Sequence, residues 1–271
     1  VANWIPKLDN YEFNYYAGTS VGSILAACYA IGMKPEEVQK MFNSEIPKRI
    51  FSKPKNILQR ASFFRKATYG NEGAKKVFKE VFGDRTIKDT KYPLSIVAWN
   101  YEKRKEKVFT HRFNSDYLLR DAVLASVSAP TFFPVAEIGK EKLGDGGVCG
   151  NDPSLAGIAA IRDDGFRIKD IKCLSIGTTG KPKEKTLKVY TKLGWLPVLI
   201  DIITTGNVSY TSYGVSHLLS DKEKPERYLR ITPSNLPSGS MDNFKLVPKI
   251  KEVWEQYPHR EAYKFLYGRE V

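Results

Sequence analysis

Apolar and polar positions along the chain follow patterns typical of short strands and helices. Residues 13–17, FNYYA, have the pattern of a buried strand, which we expect to end at Gly18. Residues 21–31, VGSILAACYAI, are apolar on nearly every side and predict a helix inside the core. The remaining pattern predicts helices over 35–42, 72–82, 116–129 and 153–161, and strands over 94–100, 107–113 and 171–178.

Strands that alternate with helices predict an α/β fold built on a largely parallel central sheet. The chain has 271 residues, a length that one large α/β domain can occupy. No internal repeat or low-complexity linker divides it, so we expect one domain over residues 1–271. Its last part, residues 206–271, is more irregular, and we expect peripheral helices and loops there.

The charge of the chain favours an anionic partner. It carries 43 Lys and Arg against 30 Asp and Glu, a net charge of +13. Anionic lipid, nucleic acid and a phosphorylated ligand would all be attracted by that positive charge. The sequence has no nucleic-acid-binding motif, and an acidic segment described below would repel phosphates, so nucleic acid is not expected.

Cysteine and histidine usage excludes several classes of protein. Neither residue type shows the spacing of a disulfide framework or a metal site, so we expect a reduced, cytoplasmic protein without metal or other cofactor. No apolar run reaches the ~18 residues of a membrane-spanning helix, and the first ten residues lack the features of a signal peptide. Secretion as an effector stays open. The cysteines are Cys28, Cys149 and Cys173.

One segment combines positive charge with large apolar residues. Between Pro47 and Gly70 there are seven bases and no acid, and large apolar side chains are interleaved with the bases: Phe51, Ile57, Leu58, Phe63 and Phe64. Such a segment can dock on an anionic bilayer, and the protein would then lie peripherally at the membrane. A core-packed segment with a basic outer face and a surface for a protein partner are the alternatives. The bases assigned to docking are Lys53, Lys55, Arg65 and Lys66.

The junction of the first strand and the first helix carries the candidate chemistry. Gly18-Thr19-Ser20-Val21-Gly22 matches G-x-S-x-G, in which the serine lies on a sharp strand-to-helix turn. The two glycines remove Cβ atoms that would clash at so tight a turn. The helix N-terminus can stabilise an oxyanion, with the Val21 N–H as the first donor. An ordinary glycine-rich turn is the alternative interpretation.

A nucleophilic serine needs a base, and the sequence offers two kinds. The histidines occur outside any motif, although a triad histidine would lie late in the chain. The segment LGDGGVCGNDP, residues 143–153, places Asp145 after a short apolar strand, where its carboxylate can accept the serine proton directly. Gly146 and Gly147 let the backbone fold tightly there, although D-G is also common in hairpin turns. The histidines are His111, His217 and His259.

Several segments together resemble the patatin-like phospholipase family in order and spacing. The resemblance covers most of residues 13–245 and implies a three-layer α/β/α fold. It also implies a dyad of Ser20 as nucleophile and Asp145 as base, and hydrolysis of phospholipid or lysophospholipid esters through an acyl-enzyme. The segments are AGTSVGSILA (17–26), SAPTFFPV (128–135), LGDGGVCGNDP (143–153), LSIGTTG (174–180) and YLRITPSN with MDN (228–243).

The sequence departs from the family pattern at two places. Gly22 is followed by Ser23, where the family often has a second glycine. The 19 residues before Ser20 also lack the glycine-rich D-G-G-G-x-R-G loop that supplies the second oxyanion donor in this family. Either the first strand and that loop precede the sequence given, or one donor is missing, a loss that costs about 10²–10³ in kcat.

The second departure leaves an alternative function open. A catalytically impaired member of the family would bind lipid or a regulator without turnover. Some bacterial members of the family are switched on by a nucleotide second messenger, so the resemblance also allows a nucleotide or protein activator. The sequence identifies no pocket for one.

Overall fold

The computed structural model describes residues 1–2, 4–8, 11–52, 67–178, 195–220, 227–237 and 243–268. These residues form two compact units, each of which is described by itself. The central unit is Phe13–Gly165, and the terminal unit combines Val1–Glu12 with Phe166–Val271. A single domain over the whole chain stays a prediction.

The central unit contains most of the elements that the sequence pattern predicts. Strand β1 begins three residues later than expected, because its ladder with β2 starts at Tyr16 opposite Leu94. Its elements are β1 (Tyr16–Thr19), α1 (Val21–Ala30), α2 (Pro35–Phe42), α3 (Ile46–Ile50), α4 (Glu72–Phe82), a 3₁₀ helix (Ile87–Asp89), β2 (Leu94–Asn100), β3 (Lys105–Thr110), α5 (Leu119–Val127), β4 (Ala136–Ile138), β5 (Glu141–Asp145), α6 (Gly147–Gly150) and α7 (Ser154–Asp163).

Strand β2 organises the sheet of the central unit. On one edge it pairs antiparallel with β3 over residues 95–100. The other edge is shared, because β1 pairs in parallel along residues 94–97 and β5 pairs antiparallel along residues 98–100. Strand β4 continues the sheet beside β5, again antiparallel. The largely parallel sheet is therefore wrong for this unit, since short β2–β3 and β4–β5 connections require antiparallel neighbours.

Helices lie on both faces of β1. Successive residues of a strand point to opposite faces of its sheet. A Cβ built on Gly18 would meet the first turn of α1, whereas one built on Gly157 of α7 would lie 3.1 Å from the Cβ of Ala17. Helices α1 and α7 thus cover opposite faces, as the predicted three-layer arrangement requires. The predicted internal position of α1 is also confirmed, because seven of its ten residues are buried.

The terminal unit has a sheet and core of its own. Strands β6 and β7 pair in parallel, and Trp4 and Trp254 pack edge to face at 5.8 Å in the core. The predicted peripheral segment 206–271 begins inside its longest helix. Its elements are 3₁₀ helices at Ile5–Leu8, Ile168–Asp170 and Phe244–Leu246, strands β6 (Cys173–Ile176) and β7 (Tyr228–Ile231), and helices α8 (Trp195–Leu219), α9 (Val247–Gln256) and α10 (Arg260–Tyr267).

Candidate active site

Ser20 lies at the sharp turn that G-x-S-x-G predicts. Strand β1 ends at Thr19 and α1 begins at Val21, so Ser20 alone makes the turn, with φ 54° and ψ −132°. A non-glycine residue held in so sparsely populated a region costs about 1–3 kcal/mol and persists only where its surroundings impose it. This backbone strain is the local signature of a nucleophile elbow.

The two glycines of the motif have different roles. A Cβ on Gly18 would lie 2.4 Å from the Gly22 carbonyl oxygen, so only glycine fits where β1 meets α1. A Cβ on Gly22 would meet nothing within 4 Å. The expected steric reason for Gly22 is therefore wrong, whereas that for Gly18 is confirmed.

The shared edge of β2 brings Asp145 to Ser20. Strand β1 ends with Thr19 opposite Val97, and β5 ends with Asp145 opposite the adjacent Ala98. The two strands run toward each other along the same edge, so the residues at their ends meet. The Ser20 hydroxyl donates to Asp145 Oδ2 at 2.6 Å.

The Asp145 carboxylate is buried, and the hydrogen-bond donors that it meets among the described residues are neutral. The residue is 6% exposed. Its Oδ1 accepts from the Gly147 N–H at 2.7 Å, and Oδ2 accepts from Ser20. Burial raises the pKa of Asp145 to about 6, although both hydrogen bonds act to lower it. A carboxylate with such a pKa is ionised at neutral pH yet basic enough to accept a proton.

The glycines after Asp145 permit close packing. A Cβ on Gly146 would lie 2.3 Å from the Val97 carbonyl oxygen, and one on Gly147 would lie 3.1 Å from Asp145 Oδ1. Gly146 therefore lets the segment lie against β2, and Gly147 leaves room for the carboxylate that its own N–H contacts. The segment continues into the short helix α6, so it is not the tip of a hairpin.

Ser126 is a part of the site that sequence reasoning missed. Its hydroxyl accepts from the Ser20 N–H at 2.9 Å and donates to the Val97 carbonyl at 2.7 Å. The residue is fully buried on α5. The sequence indicates this role only weakly. Ser126 lies two residues before the SAPTFFPV segment, but a single serine inside a predicted helix belongs to no recognisable motif. This contact fixes the strained backbone of Ser20.

The Ser126 contact also narrows the choice of oxyanion donors. The Ser20 N–H already donates to Ser126, and the Ser23 N–H donates to the Ser20 carbonyl at 2.9 Å, so neither is available to an oxyanion. The amides of Val21 and Gly22 lie between them in the first turn of α1, where N–H groups have no acceptor within the helix. The side chain of Val21 is exposed beside the elbow.

His111 and His217 have side-chain contacts of their own, and His259 lies at the start of a helix. His111 belongs to the central unit; its Nε2 lies 3.0 Å from the Thr90 hydroxyl, and its Nδ1 accepts from the Leu94 N–H. Burial lowers the pKa of His111. In the terminal unit, His217 Nδ1 lies 2.8 Å from the Tyr213 carbonyl of its own helix, and His259 precedes α10. The carboxylate paired with Ser20 thus has no histidine partner within the central unit.

The basic segment is described only in part. Lys53, Lys55, Arg65 and Lys66 lie outside the described residues, so their docking role stays a prediction. Two other bases of the segment have acidic partners beyond it, since Lys48 pairs with Glu45 and Arg49 with Glu80. Phe51 packs against Tyr69 and Phe133, with ring centroids 5.4 and 5.3 Å apart. These contacts favour the core-packed alternative for this part of the segment.

Within the described ranges, no group of three or more His, Cys, Asp or Glu side chains is placed to hold a metal ion. None of the helices described here combines the length and apolar character needed to cross a bilayer.

Comparisons with known proteins support the family resemblance. The sequence profile of the family described as patatin-like phospholipase matches residues 2–157. A cGAMP-activated phospholipase of Pseudomonas aeruginosa is 28% identical over 247 residues, covering 85% of this chain and 71% of that protein. A cUMP-AMP-activated phospholipase of Escherichia coli is 28% identical over 195 residues, covering 64% of this chain and 56% of its own length.

A solved structure shares the fold. VipD of Legionella pneumophila superposes with a TM-score of 0.53 over 98% of this chain and 64% of its own, at 11% sequence identity. A likeness at this identity concerns the fold alone. The chain thus corresponds to part of the length of each of these proteins.

Proposed function

Because the chain belongs to the patatin-like phospholipase family, whose members hydrolyse lipid esters, we propose that it cleaves carboxylic esters of phospholipids or lysophospholipids with a Ser20–Asp145 dyad. The observation that carries the proposal is the 2.6 Å hydrogen bond from the hydroxyl of a strained Ser20 to a buried carboxylate. Nucleophile and base are thereby already within proton-transfer distance.

The first half of the reaction forms an acyl-enzyme. Ser20 Oγ attacks the ester carbonyl carbon while its proton passes to Asp145 Oδ2. The carbonyl oxygen becomes an oxyanion, which the N–H groups of Val21 and Gly22 stabilise at the start of α1. The intermediate collapses, the C–O bond to the alcohol breaks, and Asp145 returns the proton to the leaving lysolipid oxygen.

The second half releases the fatty acid. Water attacks the acyl carbon and gives a proton to Asp145. When the bond to Ser20 breaks, the proton returns to Ser20 Oγ and the carboxylic acid leaves. Every proton is carried by the two side chains, so the scheme uses neither a histidine nor a metal or other cofactor.

Labelling with a fluorophosphonate probe tests the proposal, since only an activated serine reacts. The unmodified chain should be labelled and should hydrolyse a fluorogenic phospholipid. Ser20→Ala should abolish both, and Asp145→Asn should lower both by about 10³-fold or more. His217→Ala and His259→Ala are the controls and should retain both.

Two outcomes would contradict the dyad. One is an Asp145→Asn variant that labels as fast as the unmodified chain. The other is a histidine variant that is as inactive as Asp145→Asn at unchanged stability. A folded chain that the probe does not label would instead favour the impaired, lipid- or regulator-binding member of the family.

Regulation by a cyclic dinucleotide is the second part of the proposal. Similar proteins are named cGAMP-activated or cUMP-AMP-activated phospholipases, and the net charge of +13 suits an anionic ligand. The test is phospholipid hydrolysis with and without each dinucleotide. If neither compound changes the rate of hydrolysis, regulation by a cyclic dinucleotide is contradicted. The labelling experiment tests the dyad independently of this result.

We place the protein in the cytoplasm, peripheral to its membrane substrate.

A further inference from the structure

Helix α8 of the terminal unit, Trp195–Leu219, turns apolar side chains outward. Seven large apolar residues on it are between 39% and 79% exposed, and all of them except Leu218 lie on one side of the helix. We call these six the α8 stripe: Trp195, Leu199, Ile202, Ile203, Tyr210 and Tyr213. Successive members are three or four residues apart, except that Ile202 and Ile203 are adjacent and two helical turns around Gly206 separate Ile203 from Tyr210.

The stripe faces away from the core that anchors the helix. At 3.6 residues per turn, its six members lie within about 60° of one line along the helix. Val215 and Leu219, both fully buried, lie on the opposite side. A surface helix normally turns its polar residues outward. The stripe instead contains no Asp, Glu, Lys or Arg, and the helix has one such residue, Asp201, outside the stripe.

The size of the stripe argues against a stable protein partner. From Trp195 to Tyr213 the helix rises about 27 Å, and a helix is about 10 Å wide, so the stripe covers about 270 Å². A stable protein–protein interface buries about 800 Å² on each partner. A contact with a second copy through this face alone would therefore be weak, whereas insertion into lipid needs only a few apolar side chains.

The residue types of the stripe suit the boundary of a bilayer. Trp and Tyr are enriched where headgroups meet acyl chains, because each ring has an apolar body and a polar tip. Trp195 lies at one end of the stripe and Tyr210 and Tyr213 toward the other, with Leu199, Ile202 and Ile203 between them. The net charge of +13 adds attraction to anionic lipid.

We propose that the α8 stripe is a lipid-docking surface that holds the protein on a phospholipid bilayer by inserting Trp195, Leu199, Ile202, Ile203, Tyr210 and Tyr213 at the headgroup boundary. This inference rests on the proposed function only in taking the bilayer as the source of substrate. It differs from the predicted role of Lys53, Lys55, Arg65 and Lys66, because its attraction is apolar and resists added salt.

Vesicle sedimentation of the full chain tests the proposal. The Ser20→Ala background keeps the lipid intact, and the vesicles contain phosphatidylcholine alone or mixed with phosphatidylglycerol. Leu199→Ser combined with Ile202→Ser should raise the lipid concentration for half-maximal binding about tenfold on both. Val247→Ser and Phe166→Ser remove equally exposed apolar side chains elsewhere in the terminal unit and should leave binding unchanged. Circular dichroism and thermal unfolding establish that each variant is folded.

Tryptophan fluorescence supplies a second readout. Of the four tryptophans, Trp4 and Trp254 are buried and Trp99 is half-buried, whereas Trp195 is exposed. Vesicles should shift the emission to the blue, and brominated lipid should quench it. Trp195→Phe should remove most of both effects.

The outcomes separate this inference from the proposed function. Stripe variants that bind vesicles as the controls do, or an unmodified chain that binds none, would overturn the docking role. The unmodified chain could instead self-associate. If the stripe variants abolish this self-association and still bind vesicles, the stripe contacts a second copy of the chain and not lipid. If Ser20→Ala binds vesicles through the stripe but the unmodified chain hydrolyses no ester, the docking surface stands and the hydrolase proposal fails.

Discussion

The two ends of strand β5 carry buried or half-buried carboxylates with opposite properties. At its start, Glu141 accepts from the Tyr117 hydroxyl at 2.7 Å and from the Lys107 ammonium at 2.9 Å. Burial raises the pKa of Glu141, but these hydrogen bonds and charges outweigh it and hold the pKa at about 2. At the end of the strand, Asp145 meets a hydroxyl and an amide, and burial raises its pKa to about 6.

The difference shows what separates a structural carboxylate from a candidate base. Both side chains are withdrawn from water, so burial alone does not decide the direction of the shift. Glu141 has cations as partners, which stabilise its charge permanently. Asp145 has neutral donors only, so its charge stays costly and its proton affinity high. The predictions below concern the two carboxylates and the residues that position Asp145 and its partner Ser20.

Apart from the loss of hydrolysis in the dyad variants, the largest effect is expected from Gly146→Ala. The new Cβ would lie 2.3 Å from the Val97 carbonyl oxygen, so the backbone that carries Asp145 must move. A displacement of about 1 Å at a reacting group can cost about 100-fold in rate. Hydrolysis should therefore fall by about that factor. The control is Gly139→Ala, two residues before Glu141. Gly139 has a φ of +60°, and a Cβ there would meet nothing within 4 Å. This variant should lose about 1 kcal/mol of stability and little activity. Equal activities would contradict this prediction.

Ser126→Ala should lower kcat by about 10- to 100-fold and leave KM nearly unchanged. The variant removes the acceptor of the Ser20 N–H, and leaving a buried donor unpaired costs about 1–3 kcal/mol. Ser126→Thr keeps a hydroxyl and should recover much of the rate. The control is Ser128→Ala, which removes a buried hydroxyl that donates to the Leu124 carbonyl. If both alanine variants lose the same activity, Ser126 contributes to stability and not to the position of the nucleophile.

Ser126 also marks the limit of what the sequence could predict. The elbow, α1 and the Asp145 segment were predictable because glycine spacing and apolar runs are local signals. The 2.6 Å contact between Ser20 and Asp145 depends on two strands that share one edge of β2, an arrangement set by residues far apart in the chain. The role of Ser126 depends on α5 packing against β2, where its hydroxyl donates to the Val97 carbonyl, and no local pattern encodes this contact.

Glu141→Gln should destabilise the protein by about 1–2 kcal/mol at pH 7 with little effect on hydrolysis. The variant leaves the Lys107 ammonium, which is mostly buried, without its anionic partner. Because the pKa of Glu141 lies below its value of 4.5 in the unfolded chain, its stabilisation is present above pH 4.5 and is lost as the pH falls toward about 2. Urea unfolding at several pH values measures this. The control is Glu102→Gln, whose exposed partner Lys142 should make the change nearly silent.

The rate of hydrolysis should increase about tenfold between pH 5 and pH 7. The base must be ionised to accept the Ser20 proton, and the pKa of Asp145 is about 6. The ionised fraction of such a group rises from about one tenth to about nine tenths over this interval. A pH profile of kcat/KM on a substrate without ionisable groups checks it. An inflection near pH 4 would mean that burial does not control the carboxylate.

Asp145→Asn should make the inactive protein slightly more stable at neutral pH. Burial raises the pKa of Asp145 from 3.8 to about 6, so the folded protein bears the cost of a buried charge above pH 6. Below about pH 4 the carboxyl is protonated in both states and the cost disappears. A change in pKa from 3.8 to about 6 corresponds to about 3 kcal/mol. The asparagine variant gains only part of this free energy, because its amide is a weaker hydrogen-bond acceptor for Gly147 and Ser20. We therefore expect Asp145→Asn to be about 1 kcal/mol more stable than the unmodified chain. Thermal unfolding at pH 7.5 and pH 4 should show a gain at the first and none at the second. A less stable variant at pH 7.5 would mean that the hydrogen bonds outweigh the burial of the charge, as they do at Glu141.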